Sequence, residues 1–572
     1  MPKKTKLKSS NLNNQLTKDM SVNIAQIIRN NNIFVDEINQ LLHNEGVEIN
    51  NRLDIIIALL NKKVYGIETD ISISKKLSQQ IYSLIDSVSI DKDEIYQILF
   101  MFYCNKKTKI NLDQYYTPFT IGKFISNLMI PGKKAIDPAC GTGDLVKNYN
   151  GEITLWDVSK DVLDICEQNY KLNRSNYSLE CHNTINEYDK QNNTFDYCCL
   201  NPPFGTNTVV KDKGILEKYQ LGKGKKKQEI GILFIERAMN LLVDDGIAFI
   251  IVPNGYLGNS TSNIVELKKY MQSFKIISIL ELPSNTFSRS GTGVSTSLII
   301  IQKTPSDSNN IFIKSIDNIG YILNRKNTPY KYKRIDGVYI TEDGLPILDD
   351  DLVECRREIA YYAHSENIDN IVSSSDEKTY ETVNVSEITD NILDIKRYLL
   401  NYRDVVKNCK KNKCKKISSF IEKKPNTKYT KLDDKEYIYL DIKQITTPIY
   451  SKSQLLYGYE LPGRAKYKVN KYDIVVSKLK GKITFTIILD DADNIICTNG
   501  LSVMRPKDYR SAIILFANLY GKDFQVQHNS MCTGSIMETI SETEIKNILI
   551  DENIDFVKYE GIINALAVLS DL

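Results

Sequence analysis

Between Thr108 and Thr304, short β-branched or apolar runs alternate with helical stretches. Ala135-Ile136 leads into a Gly-rich turn, and Ile153 to Trp156 precedes a helix carrying Val162, Leu163 and Ile165. Phe195 to Leu200 ends in Asn-Pro-Pro-Phe, and a helix over Glu229 to Val243 precedes the strand Ile247 to Val252. This alternation predicts an α/β fold: a Rossmann-like, mostly parallel sheet that takes its ligands at the carboxyl ends of its strands.

At 572 residues the chain is too long for one core, so further domains are expected. Residues 1–20 read as a flexible basic tail. Residues 21–108 read as a helical domain, because Ile38, Leu41-Leu42, Leu53, Ile56-Ile57, Ile81 and Leu84-Ile85 recur at helical spacing. The α/β domain spans 109–304. Residues 305–395 are polar and irregular and read as a connector. Residues 396–560 read as an α+β domain with a terminal helix, its strands bounded by Gly, Asp and Asn.

With 74 Lys+Arg against 71 Asp+Glu, the net charge is only +3, so any nucleic-acid surface must come from local clustering. The longest apolar runs are strand-length, which predicts no membrane span. Eleven scattered cysteines without a regular framework suit a reducing cytoplasm. With only four histidines, and no second Cys/His pair near Cys409 and Cys414, no metal site is expected.

The sharpest motif is Asp137-Pro138-Ala139-Cys140-Gly141-Thr142-Gly143-Asp144, expected to follow a strand and enter a helix. Its glycines permit backbone conformations closed to other residues and let a ligand approach the main chain. Asp157, twenty residues beyond Asp137, ends the next predicted strand, where a carboxylate can accept both hydroxyls of a ribose.

Asn201-Pro202-Pro203-Phe204 lies at another strand end. Two consecutive prolines make a rigid, extended turn and remove two N–H donors. That leaves the Asn201 side-chain oxygen and the Pro202 carbonyl as acceptors, with the Phe204 ring alongside. Such an edge suits a planar base bearing an NH₂ group: two acceptors hold the amine hydrogens and aim its lone pair at an electrophilic methyl.

These motifs resemble the amino-group DNA methyltransferases of the gamma arrangement, above all the methylation subunits of type I restriction-modification systems. The resemblance implies transfer of a methyl group from S-adenosylmethionine to the N6 amine of a flipped adenine in double-stranded DNA. It implies cofactor binding by Tyr116 and Thr117 in Gln114 to Pro118, by Asp137, Ala139, Gly141 and Gly143, and by Asp157. Asn183 stands where the family usually has an Asp on the adenine amine. Asn201, Pro202 and Phe204 are the implied catalytic residues.

Tyr437 to Ile442, Leu461 to Ala465, Tyr472 to Lys478 and Thr498 to Gly500 resemble one target-recognition domain of a type I specificity subunit. Catalysis and sequence reading would then share one chain. A homodimer, a separate restriction nuclease and a specificity subunit remain open as partners. The first 110 residues show no convincing Asp…Glu-x-Lys cluster, so methylation without cleavage is expected.

Lys225, Lys226 and Lys227 follow the catalytic motif, and Arg464 and Lys478 alternate with aromatic residues, so these five are the expected DNA contacts. Competing readings are transfer to another amine (cytosine N4, a ribosomal RNA guanine or a protein glutamine) and a non-catalytic specificity or scaffold subunit.

Overall fold

The computed structural model describes residues 7–66, 73–90, 94–95, 98–99, 117–173, 176–204, 208–287, 293–306, 309–323, 330–388, 391–422, 434–490 and 494–570. They form two compact units. One comprises residues 1–256 with 260–391, the other 392–572 with Leu257–Asn259.

The first unit is built on a nine-stranded sheet. In chain order its strands are β1 (Lys134–Asp137), β2 (Glu152–Asp157), β3 (Tyr177–Cys181), β4 (Phe195–Leu200), β5 (Leu242–Pro253), β6 (Phe274–Glu281), β7 (Thr296–Pro305), β8 (Asn310–Ser315) and β9 (Glu381–Asn384). Their spatial order is β9-β8-β6-β7-β5-β4-β1-β2-β3. β3, β2, β1, β4 and β5 run parallel, and β7 lies antiparallel between β5 and β6. From Gly246 to Pro253, β5 is buried at every residue, as expected of a central strand covered on both faces.

The chain leaves β1 toward β2 and β3, then returns to place β4 on the other side of β1. This reversal is the topological switch point at which such sheets bind ligands. The register that sets Ile136 beside Cys198 brings Asp137 and Asn201 to the same end of the sheet.

Helices α1 (Leu7–Asn44), α2 (Arg52–Tyr65) and α3 (Lys75–Asp86) share a core of Phe34, Ile38, Leu42, Leu53, Ile56 and Ile81, at the helical spacing read from the sequence. Farther along lie α4 (Phe119–Leu128), α5 (Lys160–Asn173), α6 (Ile230–Leu241), α7 (Ser262–Gln272) and α8 (Leu352–Ser365).

Three expectations are corrected here. The backbone is already helical from Leu7, so the stretch read as a flexible tail runs into α1. No helix follows the Gly-rich loop: residues 138–151 form turns, because Asn148, Asn150 and Gly151 favour reversals over helix. Residues 305–395 are no connector, since β8 and β9 extend the sheet and α8 covers it. The same segment reaches the N-terminal helices, where Tyr321 and Tyr330 donate to the buried Glu94 carboxylate at 3.1 and 2.8 Å. The reading failed because β8 offers only Ile311, Phe312 and Ile313 between polar flanks.

In the second unit, β10 (Glu436–Leu440), β11 (Leu455–Tyr457), β12 (Ala465–Lys468) and β15 (Ile495–Thr498) form one sheet, ordered β11-β10-β15-β12. β13 (Ile474–Ser477), β14 (Phe485–Ile487) and β16 (Leu501–Met504) form a second, ordered β14-β13-β16. The helices are α9 (Leu400–Lys411), α10 (Tyr509–Leu519), α11 (Lys522–Met531) and α12 (Phe556–Ser570). α9 starts at Leu400, after a short 3₁₀ turn over Ile395–Arg397. A buried, bidentate Arg505–Asp473 pair, at 3.0 and 2.8 Å, ties β13 to the segment after β16. Among the described residues, no helix is long and apolar enough to cross a membrane.

Candidate active site

A cavity of about 370 Å³ opens at the switch point, and its lining includes Asp137 to Thr142, Asn201 and Pro203. The loop between β1 and β2 owes its shape to two glycines at positive φ, Gly141 at +53° and Gly143 at +82°. At Gly143 the backbone also passes close to α5: a Cβ there would stand 2.4 Å from Tyr170 Cε2 and 2.6 Å from Cys166 Sγ. The Tyr170 hydroxyl donates to the Gly143 carbonyl at 2.9 Å, and Asn169 Nδ2 donates to the Thr142 carbonyl at 2.9 Å. Thr184 Oγ1 donates to the Pro138 carbonyl at 2.5 Å. α5 and the turn after β3 thus hold the loop from outside.

Two carboxylates face this loop. Asp137 is only 2% exposed and accepts from the Ala139 N–H at 3.1 Å. Burial, helped by the nearby Asp157 and Asp144 and opposed by that hydrogen bond, pushes its carboxyl up to about 8. Asp157 accepts from the Gly141 N–H at 3.0 Å through one oxygen and from the Ser159 N–H at 2.9 Å through the other. Burial raises its carboxyl too, against these backbone donors. Each Asp157 oxygen keeps the capacity to accept a further hydrogen bond.

Asn201 projects from the end of β4, its Nδ2 donating to Thr117 Oγ1 at 3.3 Å. Thr117, buried two residues before α4, thereby ties that segment to the Asn-Pro-Pro-Phe turn. Tyr116 lies outside the described residues. Phe204 is 6% exposed, packs in the main core and does not line the cavity. Asn183 does line it, but its side-chain oxygen accepts from the Asn186 N–H at 3.1 Å. His182 is buried against Trp156, with ring centroids 4.1 Å apart, and its Nδ1 stands 3.1 Å from Glu187. Burial lowers its pKa, consistent with a packing role.

The structure therefore gathers Thr117, Asp137, Ala139, Gly141, Asp157, Asn183 and Asn201 around one cavity. Lys225, Lys226 and Lys227 do not line it. Lys225 Nζ is held by Glu266 at 2.6 Å and Asn263 at 3.0 Å, while Lys226 and Lys227 are exposed. In the second unit Arg464 pairs with Asp441, and Lys478 pairs with Glu542 at 2.5 Å.

Sequence reading missed the apolar wall formed by Ile230 and Phe234 of α6, together with Ile185. The i, i+4 spacing of Ile230 and Phe234 puts both on one helix face. α6 is buried nearly all round, so the pattern did not single that face out. A cavity lined by apolar side chains, a carboxylate and main chain has the chemistry to take a nucleoside. S-adenosylmethionine contains such a group.

Several known proteins are similar to this chain. Over 393 residues the chain is 23% identical to the type I restriction enzyme MpnII methylase subunit of Mycoplasma pneumoniae, covering 61% of this chain and 68% of that one. Over 219 residues it is 26% identical to the type I restriction enzyme EcoEI methylase subunit of Escherichia coli, covering 34% of this chain and 43% of that one. The type I restriction-modification methyltransferase subunit from Streptococcus thermophilus matches with a TM-score of 0.38 at 17% identity, over 64% of this chain and 79% of that one. The family model described as N-6 DNA Methylase matches residues 91–391. That match spans more than half of the sequence, and the chain belongs to the N-6 DNA methylase family, whose S-adenosylmethionine-dependent members methylate adenine in DNA.

Proposed function

We propose that this chain is a site-specific adenine methyltransferase of a restriction-modification system, with residues 1–391 carrying catalysis and the unit from Ile392 reading the DNA sequence. One observation carries the assignment of roles: Asn201 emerges from β4 at the same cavity that Asp137, Gly141 and Asp157 enclose. When bound, S-adenosylmethionine supplies an electrophilic methyl on its sulfonium.

The residues of the chain position the reactants. Asp157 holds the ribose, and the Gly141 backbone leaves room for the ligand. Thr117 orients the Asn201 amide so that its oxygen faces the incoming base. Asn201 Oδ1 and the Pro202 carbonyl would accept hydrogen bonds from the two N–H groups of the adenine amine and concentrate its lone pair toward the side from which the methyl is supplied. Phe204 reaches the base once its ring leaves the packed position, and stacking there would contribute about 1–3 kcal/mol.

A single recognition unit per chain implies a short asymmetric target in a monomer and a two-part target in a homodimer. Both relatives are methylase subunits of type I restriction enzymes, which supports a separate specificity subunit or nuclease as a further partner.

Incubation of the whole chain with duplex DNA and methyl donor, followed by sequencing of modified bases, tests this reading. Wild type should modify adenine within one sequence context. Asn201→Ala should abolish transfer with cofactor affinity nearly intact. Turnover retained by Asn201→Ala removes that residue from the mechanism, and modification confined to cytosine overturns the choice of base.

A further inference from the structure

In the second unit, the segment after α11 forms a tight hairpin that lifts two apolar side chains into solvent. Thr533 and Thr539 exchange both backbone hydrogen bonds, at 3.0 and 2.9 Å, and Ile536 and Met537 sit between them at 78% and 62% exposure. Gly534, at φ +130°, lets the Met537 carbonyl approach to 2.6 Å from where a Cβ would stand.

The base of the hairpin is rigid. Glu538 is buried and paired with Lys396 at 2.8 Å and Lys480 at 2.7 Å. Its carbonyl accepts from the Lys480 N–H at 3.0 Å, and the Ile540 N–H donates to the Lys478 carbonyl at 2.9 Å. The adjoining turn, Lys480-Gly481-Lys482, is latched by Asn529, which both donates to and accepts from the Gly481 backbone. A fixed apolar tip therefore stands beside a fixed turn carrying two lysines. Single exposed apolar residues are ordinary on protein surfaces, but an adjacent pair raised on an anchored tip is not.

The unit's charge indicates what the tip meets. Residues 392–572 hold 29 Lys+Arg against 22 Asp+Glu, a net +7, whereas residues 1–391 hold 45 against 49, a net −4. The positive excess thus lies wholly in the unit that carries the hairpin, which favours a polyanion over an apolar protein partner.

We propose that Ile536 and Met537 form a wedge that enters duplex DNA between base steps while Lys482 holds a flanking phosphate. Apolar side chains inserted in this way unstack a step and lower the work of deforming the duplex. The inference rests on DNA being the substrate.

The test uses the full chain and a duplex containing a methylated site mapped with the wild-type protein. The variant is Ile536→Ala/Met537→Ala, which alters two exposed side chains. We expect kcat/KM on the matched duplex to fall roughly tenfold or more, with recovery to within about threefold on a duplex mismatched at the target pair, where unstacking is already cheap. S-adenosylmethionine affinity should not change. A double variant as active as wild type overturns the wedge, and so does a loss that the mismatch fails to relieve, because that marks an ordinary surface contact. A wild-type chain that leaves all DNA unmodified overturns the underlying reading and the wedge with it.

Discussion

Adding one methyl group at Gly143 should damage the cofactor loop far more than the same change two residues earlier. Gly143→Ala meets two obstacles. At φ +82° a residue with a Cβ sits in the left-handed region, which costs about 1–2 kcal/mol. The new Cβ also lies 2.4 Å from the Tyr170 ring and 2.6 Å from Cys166 Sγ, and overpacking of this kind costs about 1–3 kcal/mol. Tyr170 is fully buried and its hydroxyl is bonded to the Gly143 carbonyl, so the ring cannot swing aside freely. The expected destabilisation is therefore about 2–5 kcal/mol. Gly141 has φ +53° and open space where its Cβ would stand, so Gly141→Ala should cost only the backbone share, about 1–2 kcal/mol. Trp156, the sole tryptophan, is buried in β2 and reports on the first unit alone. Urea unfolding followed by its fluorescence reads both variants, and calorimetry with S-adenosylmethionine should show the weaker cofactor binding for Gly143→Ala. Equal unfolding shifts for the two variants would refute the reasoning, because they would mean that α5 does not press on the loop.

Asp137 should make the fold pH-sensitive. Its carboxyl is raised from 3.8 to about 8 by burial, so the folded state holds a proton that the unfolded chain releases. That contribution is fully present below pH 3.8 and is lost as pH rises through about 8. Asp137→Asn should therefore gain stability relative to wild type between these limits, and parallel stability–pH curves for the two proteins would contradict the assignment. Asp157→Ala removes a charged acceptor from the ribose position, worth about 1.5–3 kcal/mol, so the cofactor dissociation constant should rise roughly ten- to hundredfold. Calorimetry measures it, and an unchanged constant would take Asp157 out of the cofactor site.

The sequence determined the parts of this protein whose signal is local. β4 occupies Phe195–Leu200 as its apolar run foretold, and β1, β2, β5 and α6 lie where alternation and periodicity placed them. Asp137, Asp157 and Asn201 were legible because each follows directly on an apolar run, and in a parallel sheet strand ends are where chemistry collects. Tertiary structure decided what depends on distant segments. β8 and β9 are too short and polar to announce themselves, and only pairing with β6 and with each other makes them strands. The turns after Gly143 stand where a helix was expected, and α5 braces the start of them through Asn169, which donates to the Thr142 carbonyl and to Asp144. Likewise Lys225, Arg464 and Lys478 read as free cations in a linear string, whereas folding supplies each with a carboxylate from elsewhere in the chain.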